Sequence, residues 1–110
     1  MKKATHETDR KTIQKFQQII NVGPAIERDF LRLGLTKPQD LKGKSPWSLY
    51  TKISELDGAM HDPCVLDVYI ASVNFMNGDP PEVWWAFTDH RKEKFGKKIE
   101  RLRTRFNEAN

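Results

Sequence analysis

The sequence predicts an all-α domain: two helix-hairpin-helix units in tandem, with a basic helix added at the C-terminus. Three observations predict it. Apolar residues recur at helical spacing, as in Ile26, Phe30 and Leu33, while no run alternates with period two. Proline follows a capping residue at Ser45-Pro46 and Asp62-Pro63, the position where its missing N–H costs nothing. Glycine turns at Gly23 and Gly58 separate apolar segments of helical length.

Each element follows from local signals. Ile13, Phe16, Ile19 and Ile20 suggest a first helix from about Asp9 to Ile20. Pro24 opens a second, whose apolar face ends at Gly34-Leu35, a C′ glycine with its apolar follower. Residues 36–42 read as one short helical turn closed by Gly43. Ser45 caps a helix carrying Leu49, Tyr50, Ile53 and Leu56, which Asp57-Gly58 ends. Asp62 caps the next, from Cys64 to Met76, apolar on nearly every side and so expected at the centre of the fold. Asp67 and Asn74, seven apart, should mark its edge toward water. Trp84, Trp85 and Phe87 form a short aromatic segment, with one tryptophan anchoring it and both expected to be largely packed. Thr88 caps a last helix to about Phe106, interrupted at Gly96, with Phe95, Ile99, Leu102 and Phe106 as its apolar stripe. The domain organisation is a flexible N-terminus (1–8), a double helix-hairpin-helix domain (9–87) and a basic C-terminal helix (88–110).

Composition narrows the function classes. The chain has 110 residues, enough for one core and not two. Its mean hydropathy of −0.71 and the lack of a long apolar run argue against a membrane span. No apolar stretch follows the first charges, so no secretory signal is expected. The single Cys64 excludes an internal disulfide and a cysteine zinc cluster, and a cytoplasmic location is expected. The net charge of +4 is uneven: residues 2–11 carry +2, residues 12–89 carry −3, and residues 90–110 carry +5. Affinity for phosphate comes mainly from lysine and arginine displacing counterions. The two ends therefore have to supply it.

The segment Asn21-Val22-Gly23-Pro24-Ala25-Ile26 is the candidate site. The motif's core is a Gly-apolar-Gly turn that takes left-handed torsions and approaches a phosphate closely. Asparagine replaces the first glycine here and is the next-best residue in that region. The helix opening at Pro24 then presents free N–H groups and its positive dipole end to an anion. The second hairpin, from Ile53 to Pro63, carries Asp57 and Asp62, which would repel phosphate, so a structural role is expected for it. His61, Asp62, Cys64 and Asp67 suggest a metal or a Cys/His nucleophile at first sight. Asp62 is better used as a cap, and an inert Cys64 thiol is the simpler expectation. No enzyme is expected; a site built on His61 and Cys64, with His90 brought near, is the remaining alternative.

With both hairpins placed, the chain resembles a family of small bacterial "pathogenicity locus" proteins that carry a helix-hairpin-helix. The resemblance rests on residues 20–25, on Leu33-Gly34-Leu35 with Asp40-Leu41-Lys42-Gly43, on residues 56–58 with 61–69, and on Trp84-Trp85 with residues 88–92. It spans about residues 12–92 and implies a DNA-associated, SAM-like fold without implying a reaction. From the wider motif, the amides of Asn21, Gly23, Ala25 and Ile26 would meet phosphate oxygens. The carbonyls of Gln17, Ile19 and Val22 would hold a potassium or sodium ion, and no other cofactor is implied. Arg28 and Arg32 would add charge, diluted by Glu27 and Asp29.

The C-terminal helix supplies Lys97, Lys98, Arg101 and Arg105 as further phosphate contacts. The expected function is thus non-sequence-specific binding of DNA, duplex or single-stranded, because backbone contacts carry no base information. A domain that binds a protein through its tryptophans is the alternative, and Trp47 with one of the pair could stack an unpaired base. No membrane partner is expected, and the oligomeric state is left open.

Overall fold

The computed structural model describes residues 2–109. Every regular element among them is helical. There are four α-helices, α1 (Pro24–Arg32), α2 (Pro46–Asp57), α3 (Pro63–Met76) and α4 (Thr88–Ala109); 3-10 turns at Arg10–Thr12 and Phe16–Gln18 precede α1, and others at Pro38–Leu41 and Trp84–Phe87 lead into α2 and α4.

The expected helix over residues 9–20 is absent. Two 3-10 turns stand there, separated by extended residues: Ile13 has ψ 120°, Lys15 ψ 139° and Ile19 ψ 133°. The reason lies in the spacing. Ile13, Phe16, Ile19 and Val22 are all buried and recur strictly every three residues. Three residues advance an α-helix by 300°, so over nine residues that row would swing to the opposite face. A chain with three residues per repeat keeps the row on one side.

The other starts and stops fall where their caps put them. The Ser45 Oγ accepts from Ser48 N–H at 3.2 Å, and Asp62 Oδ1 accepts from Cys64 N–H at 2.8 Å. Helix α1 closes on Gly34, whose φ of 89° is left-handed. Leu35 N–H reaches back to the Phe30 carbonyl at 3.0 Å and Gly34 N–H to that of Leu31 at 3.0 Å, the paired bonds of a Schellman ending. Leu35 is buried behind it.

Helix α3 is the centre of the molecule, with buried residues from Leu66 to Met76, and it packs against α2, α4 and the turns at 38–41 and 84–87. Phe16, Phe30 and Tyr69 form an aromatic row with successive ring centroids 5.3 Å apart. Each such ring contributes roughly 1.5–3 kcal/mol through burial. Arg10 ties the N-terminal segment to the end of α3. Its guanidinium lies 4.1 Å over the Phe75 ring and donates to the carbonyls of Phe75 (2.9 Å), Asp79 (2.7 Å), His6 (2.6 Å) and Thr8 (2.9 Å).

Four further expectations change. Asp67 does not face water; it is fully buried and accepts from Arg91 Nε at 3.0 Å and Thr88 Oγ1 at 2.9 Å. This buried pair fastens α4 to α3. The Thr88 hydroxyl is spent on Asp67, and α4 begins at Thr88 itself. Gly96 does not interrupt α4, which runs through it unbroken. Of the tryptophan pair, Trp84 is half-buried against the core while Trp85 is 61% exposed.

Candidate functional site

The corner before α1 is built from below. Val22 is fully buried and pins the turn to the core, its N–H donating to the Ile19 carbonyl at 3.1 Å. Asn21 takes φ 72°, the left-handed torsion expected of it. Its side chain turns aside, with Nδ2 donating to the Glu82 carbonyl at 2.8 Å, so the corner is braced against the segment before the tryptophans. Gly23 is extended, with φ −104° and ψ −170°, and a Cβ there would meet nothing within 4 Å. Its glycine character is therefore not demanded by the fold.

The N–H groups of Asn21, Gly23, Ala25 and Ile26 have no acceptor among the described residues. Pro24 and Ala25 are exposed, and Gly23 and Ile26 are half-exposed. Four donors at and just before the start of a nine-residue helix are thus left without a partner among the described residues, the usual state of a helix opening. Glu27, in the first turn, works against an anion; Gln17 Nε2 donates to its carboxylate at 3.3 Å.

The carbonyls of Gln17, Ile19 and Val22, expected to hold a potassium or sodium ion, converge on one point. The group they hold is the Lys3 ammonium, at 2.6, 3.1 and 2.8 Å respectively. Ala4 N–H donates to the intervening Gln18 carbonyl at 2.6 Å, so residues 3 and 4 run along the corner. Sequence reasoning missed Lys3, an exposed residue whose ammonium end alone is engaged, because nothing in Met1-Lys2-Lys3-Ala4 marks one lysine as a donor to backbone carbonyls. Burial of its ammonium end pulls the Lys3 pKa below the ordinary lysine value.

The arginines on α1 differ. Arg28 is exposed and has no partner among the described residues. Arg32 is committed elsewhere: it pairs with Asp57 at the end of α2 and lies 3.2 Å from Asp29. Asp57 also meets His61 Nε2 at 2.6 Å. Arg32, then His61, hold the Asp57 carboxyl down at about 2. The second turn is thus knitted internally, with Ser54 Oγ accepting from His61 N–H at 3.1 Å and the Tyr50 hydroxyl donating to the His61 carbonyl.

Cys64 is half-buried, and burial, then the Asp62 carboxylate, push its thiol up and away from the thiolate. Among the described residues no three His, Cys, Asp or Glu side chains are grouped to hold a metal ion.

On α4, Lys97, Lys98, Arg101 and Arg105 are all exposed. Lys98, Arg101 and Arg105 line an open groove of about 340 Å³ with Trp47, Thr51 and Leu102, between α2 and α4. Arg105 is partly engaged by Glu55 at 2.9 Å. Trp47, one of the lining residues, is stacked on Phe95 with centroids 5.6 Å apart and rings 6° from parallel. One of its faces is therefore already occupied by the protein.

No helix among the described residues is long and apolar enough to cross a membrane. No solved structure matches the chain. It is 36% identical over 74 residues to the mitomycin resistance protein McrB of Streptomyces lavendulae, covering 67% of this chain and 70% of that one. Residues 9–93 match the model of the Cdd1 family, described as "pathogenicity locus", and so take in the residues 12–92 that carry the resemblance. The chain belongs to that family.

Proposed function

We propose that the protein binds DNA weakly and without sequence preference, gripping a backbone phosphate with the amides of residues 21–26 in the manner of a helix-hairpin-helix. The observation that carries this reading is the set of four N–H groups without acceptors among the described residues at the opening of α1. An anion there meets donors and the positive end of the helix dipole together. Arg28 adds an exposed charge one turn on, whereas Arg32 is held by Asp57 and contributes little. Lys97, Lys98 and Arg101 on α4 supply the counterion-releasing surface that the acidic body lacks. The tandem arrangement belongs to the same reading, with α2 and α3 as a second, structural unit. The name of the mitomycin resistance protein McrB records a phenotype and adds no chemistry to the corner.

Gly23→Leu tests it. The added side chain enters open space at a backbone torsion any residue adopts, so melting should be unchanged. It stands where a phosphate must approach. Charge-assisted hydrogen bonds contribute about 1.5–3 kcal/mol each, so affinity for a fluorescent duplex or single strand should fall at least about tenfold. Unchanged affinity removes the corner from the site.

A second reading, an adaptor that binds protein through its aromatic segment, is favoured by the 61% exposure of Trp85 next to Trp84, whose ring meets it edge-on at 5.5 Å. Salt separates the two. Binding to DNA falls steeply between low and physiological salt, and aromatic-driven binding does not.

A further inference from the structure

We propose that Lys3 is a built-in cation: its ammonium fills a three-carbonyl site suited to a monovalent metal ion, and removing it opens that site to free potassium. An ammonium has three N–H donors, and Gln17, Ile19 and Val22 provide three acceptors at 2.6–3.1 Å, so its donor capacity is spent. The carbonyls of Gln17 and Val22 have no other donor among the described residues. They point to one spot because the chain there alternates 3-10 turns with extended residues, which leaves them out of any helical ladder. Rings of carbonyl oxygens are also how proteins replace the hydration shell of potassium, an ion close to ammonium in size and charge.

The lysine holds this place by tethering. Ala4 N–H, bonded to the Gln18 carbonyl at 2.6 Å, fixes the backbone beside the site. A tethered group acts at an effective concentration that a free ion in solution has to exceed. With all three donors used, Lys3 cannot also hydrogen-bond a phosphate. It contributes a fixed positive charge beneath the corner and holds its carbonyls in place.

Thermal melting of the full chain tests this without nucleic acid, so the result stands apart from the fate of the DNA reading. The unmodified protein should melt at the same temperature in potassium chloride and in choline chloride of equal ionic strength. Lys3→Met, which keeps the apolar stem, should melt about 4 °C lower in choline chloride. Potassium should restore at least half of that loss. Lys3→Gln is the second variant should Met prevent folding. In the unmodified protein, side-chain nitrogen NMR should show one lysine ammonium whose protons exchange far more slowly than the others. Equal losses in both salts, or a Lys3 ammonium exchanging like the rest, overturns the inference.

Discussion

Replacing Asp67 with asparagine keeps the size of the side chain and removes its charge. Asp67 is fully buried and is met by Arg91, only 9% exposed, at 3.0 Å and by Thr88 at 2.9 Å. Removing one partner of a buried pair costs about 3–5 kcal/mol because the other charge is left uncompensated in a poorly hydrated place. Arg91 keeps a sliver of solvent contact and asparagine keeps an oxygen for Thr88, so the lower end, about 3 kcal/mol, applies. At about 4 °C per kcal/mol for a domain near this size, Asp67→Asn should melt about 12 °C below the parent. Calorimetry and urea titration read this directly. The double variant Asp67→Leu, Arg91→Met should recover most of the loss, since an apolar pair of similar volume strands no charge. A single variant melting within about 3 °C of the parent refutes the claim that this pair fastens α4 to the core.

The remaining predictions are local. Gly34→Ala forces an alanine to φ 89° and should cost about 1–2 kcal/mol, while Gly23→Ala should be near neutral; urea titration of the two, side by side, checks the contrast. The Asp57 carboxyl sits at about 2 in the folded protein against roughly 3.9 unfolded, so its contribution is present above pH 4 and lost as pH falls toward 2. Asp57→Asn should therefore flatten the acid limb of the stability profile over pH 4 to 2 and lower stability at pH 7. If Arg101 meets a phosphate, Arg101→Gln should reduce the slope of log affinity against log salt for duplex DNA by about 0.9.

What the sequence discloses about this fold depends on whether a feature is local. Pro24, Pro46 and Pro63 mark the openings of α1, α2 and α3 because cap and proline act within one turn, and each helix begins at its proline. The largely apolar run from Leu66 to Met76 fills the centre as its composition requires. The first segment fails because Ile13, Phe16 and Ile19 satisfy helical spacing over two intervals, and only Val22 exposes the strict period of three. Asp67 is misplaced because its partner, Arg91, lies 24 residues on in a basic run, where no neighbour distinguishes the buried arginine from the solvated ones. At the candidate site, the left-handed Asn21 is legible because asparagine tolerates that torsion. Lys3 is not, since its role exists only once residues 17–22 have folded around it.

Trp47 and Trp85 sit in opposite surroundings, the first laid flat on Phe95 where α2 meets α4 and the second standing mostly in solvent. The molecule therefore has its own optical gauge. With the third indole, Trp84, replaced by phenylalanine, light emitted from the sheltered indole reports whether the last helix is seated, while the bare one registers whatever arrives at the aromatic turn, so the two events can be followed without attaching a dye.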